Sequence, residues 1–113
     1  KHIQFLGYLK NPYPYIKAAN LLLSTSECEG FSLVICEAMC LDIPVISTKT
    51  CGPIEILDNN KYGILCDHND GSIYSAIKLL YTDTELSRKY SKGGYDRVKI
   101  FSIKNCMNKI YKL

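Results

Sequence analysis

No run of apolar residues in the 113-residue sequence approaches the roughly 20 that a membrane-spanning helix needs. The first residues, Lys1–Gly7, also lack the charged, apolar and small-residue segments that make up a signal peptide. No methionine starts the chain, which opens directly on a strand-like run. We therefore expect a cytoplasmic protein, and we expect residues 1–113 to be one partial domain of a longer chain.

The six cysteines show none of the spacings of a zinc site. No C-x-x-C pair is present, and only Cys36 and Cys40 have the spacing of a pair on one helix face. Most cysteines interrupt apolar stretches, where a free thiol behaves as a small hydrophobic group. The sequence therefore predicts reduced cysteines without a zinc site or a disulfide framework.

Positive charge is concentrated in the second half of the chain. Residues 1–60 carry four Lys against six Asp and Glu, whereas residues 61–113 carry ten Lys and Arg against five acidic residues. Such an excess can attract nucleic acid or an anionic membrane surface. No aromatic-plus-basic platform accompanies it, so we interpret the charge as the solvated faces of helices and expect no nucleic-acid partner.

Short apolar runs alternate with helical segments along the first half of the sequence. Four strands are predicted, at residues 3–6, 21–24, 44–47 and 62–66. Helices are predicted at about residues 12–20, 32–41 and 53–57, beyond Asp70, from Asp83 as N-cap to about 101, and over 103–113. Apolar strands separated by helices are typical of a parallel sheet covered on both faces. The predicted fold class is α/β, with a helical C-terminus.

The helix predicted over residues 32–41 is apolar all round except for Glu37. It should therefore be buried on most sides, where a carboxylate costs several kcal/mol unless it is hydrogen-bonded or paired. Three explanations stay open: a structural partner, exposure at the rim of a cleft, or a ligand.

The surroundings of this helix favour a ligand. The helix follows a buried parallel strand, so its N-terminus lies at the carboxyl edge of the sheet, where open α/β sheets bind ligands. Its first backbone N–H groups, at residues 31–34, have no acceptor within the helix and attract phosphate or sugar oxygens. Glu29 precedes them, and Gly30 permits close approach of the backbone. Glu29 and Glu37 would then bracket a polyhydroxylated ligand, because carboxylates accept charge-assisted bonds from vicinal hydroxyls.

The residues around these carboxylates carry a family resemblance. Residues 26–39, S-E-C-E-G-F-S-L-V-I-C-E-A-M, resemble the E-x(7)-E motif of the retaining glycosyltransferases of family four, the glycosyl transferases group 1. The usual form of that motif is S-x-x-E-G-F-G-L-x-x-x-E-A-M-A. Four further segments resemble the family's other signatures in the right order: F-L-G at 5–7, P-V-I-S at 44–47, C-G-P-I-E at 51–55 and Y-G-I-L at 62–65.

The resemblance implies part of the C-terminal, Rossmann-like domain of a GT-B enzyme, with a partial parallel sheet and flanking helices. It implies a hexosyltransferase-type glycosyltransferase that transfers sugar from a nucleotide-sugar donor, a UDP-sugar, with retention of configuration. The acceptor would be a glycan or glycolipid bound by an N-terminal domain outside this sequence. Neither a metal nor a cofactor is expected, and peripheral contact with the inner face of the membrane stays open.

The same resemblance assigns roles to individual residues. Glu29 lies by the donor sugar and is the candidate catalytic residue, in a positioning and electrostatic role. Glu37 holds the ribose hydroxyls. Glu55 either reaches the ligand or simply favours the N-terminal turn of its own helix. The other donor-binding candidates bring backbone groups toward the sugar and the diphosphate: Gly30, Phe31, Ser32, Leu33 and Gly52.

Two positions depart from the family pattern. Ser32 stands where the family usually has Gly, and it can serve as a helix N-cap instead. Cys51 replaces the first Gly of its loop and places a side chain near the expected diphosphate. The Arg and Lys that neutralise the diphosphate in this family would lie before Lys1, so we expect residues 1–113 alone to be inactive.

Two alternative functions compete with the transferase. The first is a sugar-nucleotide epimerase of GT-B shape, which the spacing of Glu29 and Glu37 within the motif disfavours. The second is a non-catalytic, flavodoxin-like α/β binding module. That module predicts an acidic or phosphate-binding cluster after the first strand, and none is found at residues 7–11.

Overall fold

The computed structural model describes residues 2–28 and 30–101. Helices and strands alternate along the chain in the order α1, β1, α2, β2, α3, β3, α4 and α5, followed by one 3-10 turn. Their bounds are α1 Tyr13–Ala18, β1 Leu22–Ser24, α2 Leu33–Cys40, β2 Val45–Thr48, α3 Cys51–Ile56, β3 Ile64–Cys66, α4 Asp70–Thr82, α5 Thr84–Val98 and the 3-10 turn Lys99–Phe101. The alternation confirms the predicted α/β class.

The three strands form one parallel sheet in the order β1-β2-β3. All four residues of the central strand β2 are buried, because helices cover both faces of the sheet. Val45 and Leu65 belong to the cluster on one face, together with residues of α2 and α3. Ile46 and Cys66 belong to the cluster on the other face, with residues of α4 and α5. The predicted two-sided cover of the sheet is therefore confirmed.

The helix starts follow from local capping chemistry. Ser32 has extended backbone angles, and its Oγ accepts a hydrogen bond from the Ile35 N–H at 3.4 Å, so it is the N-cap of α2 as predicted. Asp83, also predicted as an N-cap, accepts from the Leu86 N–H at 3.0 Å and starts α5. These caps fix where α2 and α5 begin.

The strand predicted at residues 3–6 is wrong. These residues have no regular structure, and the side chains of Ile3 and Phe5 are 76% and 95% exposed. A strand needs a neighbouring strand to accept its hydrogen bonds, and no described strand lies beside this segment. The chain turns at Gly7, whose φ of 66° is in the left-handed region.

From Asp70 onward the described chain is helical, as predicted. The long helix from Asp83 ends at Val98 and continues as the 3-10 turn to Phe101. The helix predicted over residues 103–113 lies outside the described residues. Within residues 2–28 and 30–101, no helix combines the length and the apolar character that crossing a bilayer requires.

Candidate functional site

Three loops leave the sheet together at the carboxyl ends of the strands. The Thr48 hydroxyl, at the end of β2, donates to the Ser26 carbonyl in the loop after β1 at 2.6 Å. His68 Nε2, in the loop after β3, donates to the Thr25 carbonyl at 2.8 Å. Lys49 and Asp67 form an ion pair at 3.0 Å between the loops after β2 and β3. The edge at which we predict the ligand site is thus one continuous surface.

The backbones of Gly30 and Gly52 lie against each other at this edge. A Cβ built on Gly52 would overlap the carbonyl oxygen of Gly30 and would lie 3.1 Å from Phe31 Cα. Only glycine fits at position 52, because any side chain would force the two backbones apart. The structure therefore brings together two segments that are separated in the sequence and that both carry predicted donor-binding residues.

Helix α2 begins beside this glycine contact. Its N-cap Ser32 is 1% exposed, and its hydroxyl already serves the Ile35 N–H. The N–H groups of Leu33 and Val34 are in the first turn, where a helix supplies no acceptor. The side chains of Phe31 and Leu33 are each about half exposed. The positive end of the α2 dipole thus lies at the loop surface.

Glu37 lies one turn further along α2, on the same helix face as Leu33. Its side chain is 8% exposed, and its Oε2 accepts a hydrogen bond from the Tyr13 hydroxyl at 2.6 Å. Of the three explanations left open by the sequence, the structure supplies the first, a structural partner for the carboxylate. A role for Glu37 toward ribose stays a prediction.

Glu29, the candidate catalytic residue, lies outside the described residues. Its neighbours Cys28 and Gly30 are exposed. Glu55 is exposed on α3 and is the fifth of six residues in that helix. The explanation of Glu55 as an acid of the N-terminal turn is therefore wrong, because α3 begins at Cys51 and no acidic residue lies in its first turn.

Sequence reasoning missed Arg97 and Phe101, which contact residues of the candidate site from the C-terminal end of the described chain. Arg97, on α5, donates from Nε to the Ile56 carbonyl at 3.0 Å and from Nη2 to the Glu55 carbonyl at 2.8 Å. Its guanidinium lies over the Phe101 ring, and Phe101 meets Phe31 edge to face with ring centroids 5.4 Å apart. Arg97 and Phe101 lie one helical turn apart, but their contacts with Ile56, Glu55 and Phe31 join residues 41 to 70 positions apart, which no local pattern predicts.

One buried oxygen at the site has no hydrogen-bond partner. Among the described residues, Thr50 Oγ1 is buried and unpaired, although Thr50 occupies the N-cap position of α3. The extended backbone of Thr50 would permit a side-chain cap, but none forms. Such groups are rare in folded proteins, and this one directly precedes the Cys51–Gly52 segment.

An open cavity of about 660 Å³ lies beside the candidate site, along the edge strand β3. Lys49 and Asp67 line it, with residues of β3 and α4, but none of the predicted site residues does. We therefore locate the site from the loop contacts and not from this cavity. In the part of the chain that the structure describes, no group of three His, Cys, Asp or Glu residues could hold a metal ion.

The predicted thiol state is consistent with the described geometry of three cysteines. Cys28, Cys51 and Cys66 are outside any disulfide. Cys51 is exposed at the first position of α3, adjacent to the Gly30–Gly52 contact. Cys66 is buried in β3 and donates weakly to the Ser47 carbonyl, with sulfur and oxygen 3.6 Å apart.

Comparisons with known proteins agree on one family. The family model described as "Glycosyl transferases group 1" matches residues 1–97. The chain is 40% identical over 82 residues to a probable sucrose-phosphate synthase of Thermosipho melanesiensis, a match that covers 73% of this chain and 18% of the relative. It is 35% identical over 98 residues to N-acetyl-alpha-D-glucosaminyl L-malate synthase of Bacillus anthracis, covering 85% of this chain and 26% of that protein.

A solved structure matches as well. The sucrose-phosphate synthase of Thermosynechococcus elongatus superposes with a TM-score of 0.74 at 29% identity, over 87% of this chain and 26% of that one. The chain thus spans about a fifth to a quarter of the length of these relatives. With the family model matching residues 1–97, the chain belongs to the glycosyl transferases group 1 family.

Proposed function

We propose that the protein is a glycosyltransferase whose donor, a nucleotide sugar, binds at the carboxyl edge of the sheet. The observation that carries the proposal is the contact of Gly30 with Gly52 beside the start of α2, one turn from the buried Glu37. Backbone amides in the first turn of a helix suit a diphosphate, and a carboxylate suits vicinal hydroxyls. Membership of the family supports this choice over a flavodoxin-like binding module.

We assign the donor contacts by residue. Glu37 would accept hydrogen bonds from the ribose hydroxyls, and the backbone amides around Phe31, Ser32 and Leu33 would approach the sugar and the diphosphate. Glu29 would lie by the donor sugar as a positioning and electrostatic residue. Gly52 would keep the start of α3 close enough to the Gly30 loop to share the site, and Glu55 would add a carboxylate from the same helix.

The proposed donor is a UDP-sugar, and the proposed reaction retains configuration. The acceptor oxygen would form a bond to the anomeric carbon on the face from which the nucleoside diphosphate leaves. The proton of the acceptor hydroxyl would pass to an oxygen of the leaving diphosphate, so no metal or further cofactor is required of this chain. No described residue would need to form a covalent bond to the sugar.

The acceptor is proposed only by class, as a glycan or lipid-linked molecule. One relative, 28% identical over 101 residues, is a Campylobacter jejuni N-acetylgalactosaminyltransferase whose name specifies a diphospho-undecaprenol acceptor. The other named relatives are synthases of sucrose phosphate and of a glucosaminyl malate. These names describe transfers and syntheses, which supports a transferase over the epimerase alternative. Residues 1–113 alone would lack an acceptor site and would be inactive.

Titration of the full-length protein with UDP, GDP and ADP by calorimetry tests this function. We expect UDP to bind and Glu37→Ala to weaken it by about 1.5–3 kcal/mol, the usual worth of hydrogen bonds to a charged group, or roughly 10- to 150-fold. Glu85→Ala removes the same charge from an exposed position on α5 and should leave the affinity unchanged. A folded Glu37→Ala variant with wild-type affinity would contradict the ribose role, and a wild-type protein that binds none of the three nucleotides would contradict the function.

A further inference from the structure

The hydrogen bond between Tyr13 and Glu37 joins two residues that are 24 positions apart in the sequence. Both side chains are only 8% exposed, and the bond is 2.6 Å long. This is the length expected of a hydroxyl that donates to a carboxylate, which is one of the stronger kinds of hydrogen bond in proteins. Tyr13 is thus a built part of the environment of Glu37.

The chain fixes the position of Tyr13 from its own side. Tyr13 is the first residue of α1 and follows Pro12, whose ring restricts the backbone at the helix start. The Tyr13 N–H donates to Asn11 Oδ1 at 3.3 Å. The ring packs into the core cluster formed by residues of α2, β2 and α3. The hydroxyl therefore reaches Glu37 from a ring that is packed in the core at the start of α1.

A hydroxyl held in this way determines the orientation of the carboxylate. The last torsion of a glutamate side chain has a broad, two-fold preference, so an unrestrained carboxylate samples many orientations. Two carboxylate oxygens offer about four acceptor sites, and the Tyr13 hydroxyl occupies one of them on Oε2. Acceptor sites then remain for a vicinal diol, and a carboxylate that is already oriented loses less entropy on binding it.

We propose that Tyr13 is a positioning residue that orients the Glu37 carboxylate for the ribose diol of the donor nucleotide. The proposal rests on the proposed function, because it takes Glu37 to be the ribose ligand. A merely structural Tyr13 would stabilise the buried carboxylate but would not distinguish a ribonucleotide from a nucleotide without ribose hydroxyls. That difference makes the proposal testable.

The experiment measures binding of UDP and of 2′,3′-dideoxy-UDP to the full-length protein, to Tyr13→Phe and to Tyr15→Phe. We expect Tyr13→Phe to weaken UDP about 3- to 10-fold, in line with the loss of one hydrogen bond, and to leave 2′,3′-dideoxy-UDP unchanged. The preference for UDP over 2′,3′-dideoxy-UDP should therefore fall by the same factor. Tyr15→Phe removes a hydroxyl from the same helix at a position that is 54% exposed, and it should change neither affinity.

The Tyr13→Phe variant could fail to fold, because it leaves the Glu37 carboxylate buried without its partner. A second comparison, made in the Glu37→Gln background, covers this case. Glu37→Gln removes that charge, so the Tyr13→Phe change is better tolerated in its background. Glu37→Gln alone should lower the preference for UDP over 2′,3′-dideoxy-UDP, and adding Tyr13→Phe should lower it no further. A further fall would show that Tyr13 does not act through Glu37.

The outcomes separate the two proposals. Equal losses for UDP and 2′,3′-dideoxy-UDP, or no loss for either in a folded Tyr13→Phe variant, would overturn the positioning role while the transferase function stands. Failure of the wild-type protein to bind UDP, or binding without preference over 2′,3′-dideoxy-UDP, would count against the proposed donor site itself.

Discussion

Single glycines determine how closely the loops and strands of this fold approach one another. At Gly52 a Cβ would overlap the Gly30 carbonyl, and at Gly63 a Cβ would lie 2.8 Å from the Val45 carbonyl. Both contacts are between backbones, which cannot move aside as a flexible side chain could. At Gly30 itself and at Gly71 a Cβ would have nothing nearer than 3.5 Å. The sequence alone does not show which glycines are in tight backbone contact and which have space for a side chain.

We predict that Gly52→Ala destabilises the protein by about 1–3 kcal/mol, as overpacking of a tight contact usually does. The added methyl group would push the start of α3 away from the Gly30 loop. Gly71→Ala is the matched control, because Gly71 is exposed within α4 and an alanine there should be neutral or up to about 1 kcal/mol stabilising. Chemical denaturation of both variants measures the difference. Equal stabilities would argue against the tight backbone contact.

At the residue scale, the sequence predicted what local chemistry dictates. Ser32 and Asp83 were predicted as N-caps from their type and position, and both accept the expected N–H. Glu37 stood out as a charge in an apolar helix. Its partner Tyr13 carries no signal in the sequence, because no periodicity joins residues 24 positions apart.

Helix α3 depends on its surroundings for stability. It has six residues, too few for a helix to be stable by propensity alone. Arg97, on α5, binds two of its last carbonyls, where the helix dipole favours a positive charge. The guanidinium also lies over the rings of Tyr62 and Phe101 at 5.3 and 5.0 Å. The C-terminal end of α3 is therefore held by a residue of α5.

We predict that Arg97→Ala costs about 1.5–3 kcal/mol of stability, the usual worth of hydrogen bonds to a charged group. Arg97→Lys should restore only part of this, because an ammonium cannot make the same planar pair of bonds or stack on the rings. Arg88→Ala, an exposed change on the same helix, should stay within about 0.5 kcal/mol of wild type. Thermal unfolding of the three variants tests the ranking, and an Arg97→Ala variant as stable as Arg88→Ala would refute it.

The predicted helices agree with the structure where apolar periodicity coincides with a capping residue. The prediction failed for a strand, which needs a neighbouring strand to form. Helix α2 has clear local signals and is predicted within one residue at each end, and the long helix from Asp83 reaches residue 101 once its 3-10 turn is counted. Residues 3–6 have a strand-like composition, yet they form no strand. A helix satisfies its own hydrogen bonds, whereas a strand depends on another segment for its partners. The composition of residues 3–6 alone does not show whether another strand lies beside them.

At the scale of the whole molecule, the α4 and α5 face of the sheet buries two groups whose ionisation depends on folding. The cluster on the α4 and α5 face contains Cys66 and Tyr90. Burial, and then the nearby Asp67 carboxylate, raise the pKa of the Cys66 thiol above its ordinary value, with Lys49 opposing them. Burial also raises the pKa of Tyr90. Both groups are therefore held neutral in the folded state at a pH where the unfolded chain would ionise them.

We predict that the protein loses stability as the pH rises above about 9, where the Cys66 thiol of the unfolded chain ionises. Because the pKa of the Cys66 thiol is higher in the folded than in the unfolded state, the contribution of this thiol to the free energy of unfolding is fully present below pH 9. Above pH 9 that contribution declines until the thiol ionises in the folded state as well. The stability of wild type relative to Cys66→Ala should therefore shrink between pH 8 and pH 10.5 in denaturation experiments. Cys28→Ala, which removes an exposed thiol, is the matched control. A constant difference for Cys66→Ala would contradict the prediction.

The strand β1 has a consequence for handling the protein. Among the described strands it pairs only with β2, so its other edge presents backbone N–H and C=O groups without a ladder partner. Leu23, on this strand, is 37% exposed. Such an edge is a template on which a second strand can add, and proteins that display one tend to self-associate. We therefore expect the 113-residue chain to self-associate through β1 at high concentration, so biochemical work with it is best done on dilute samples.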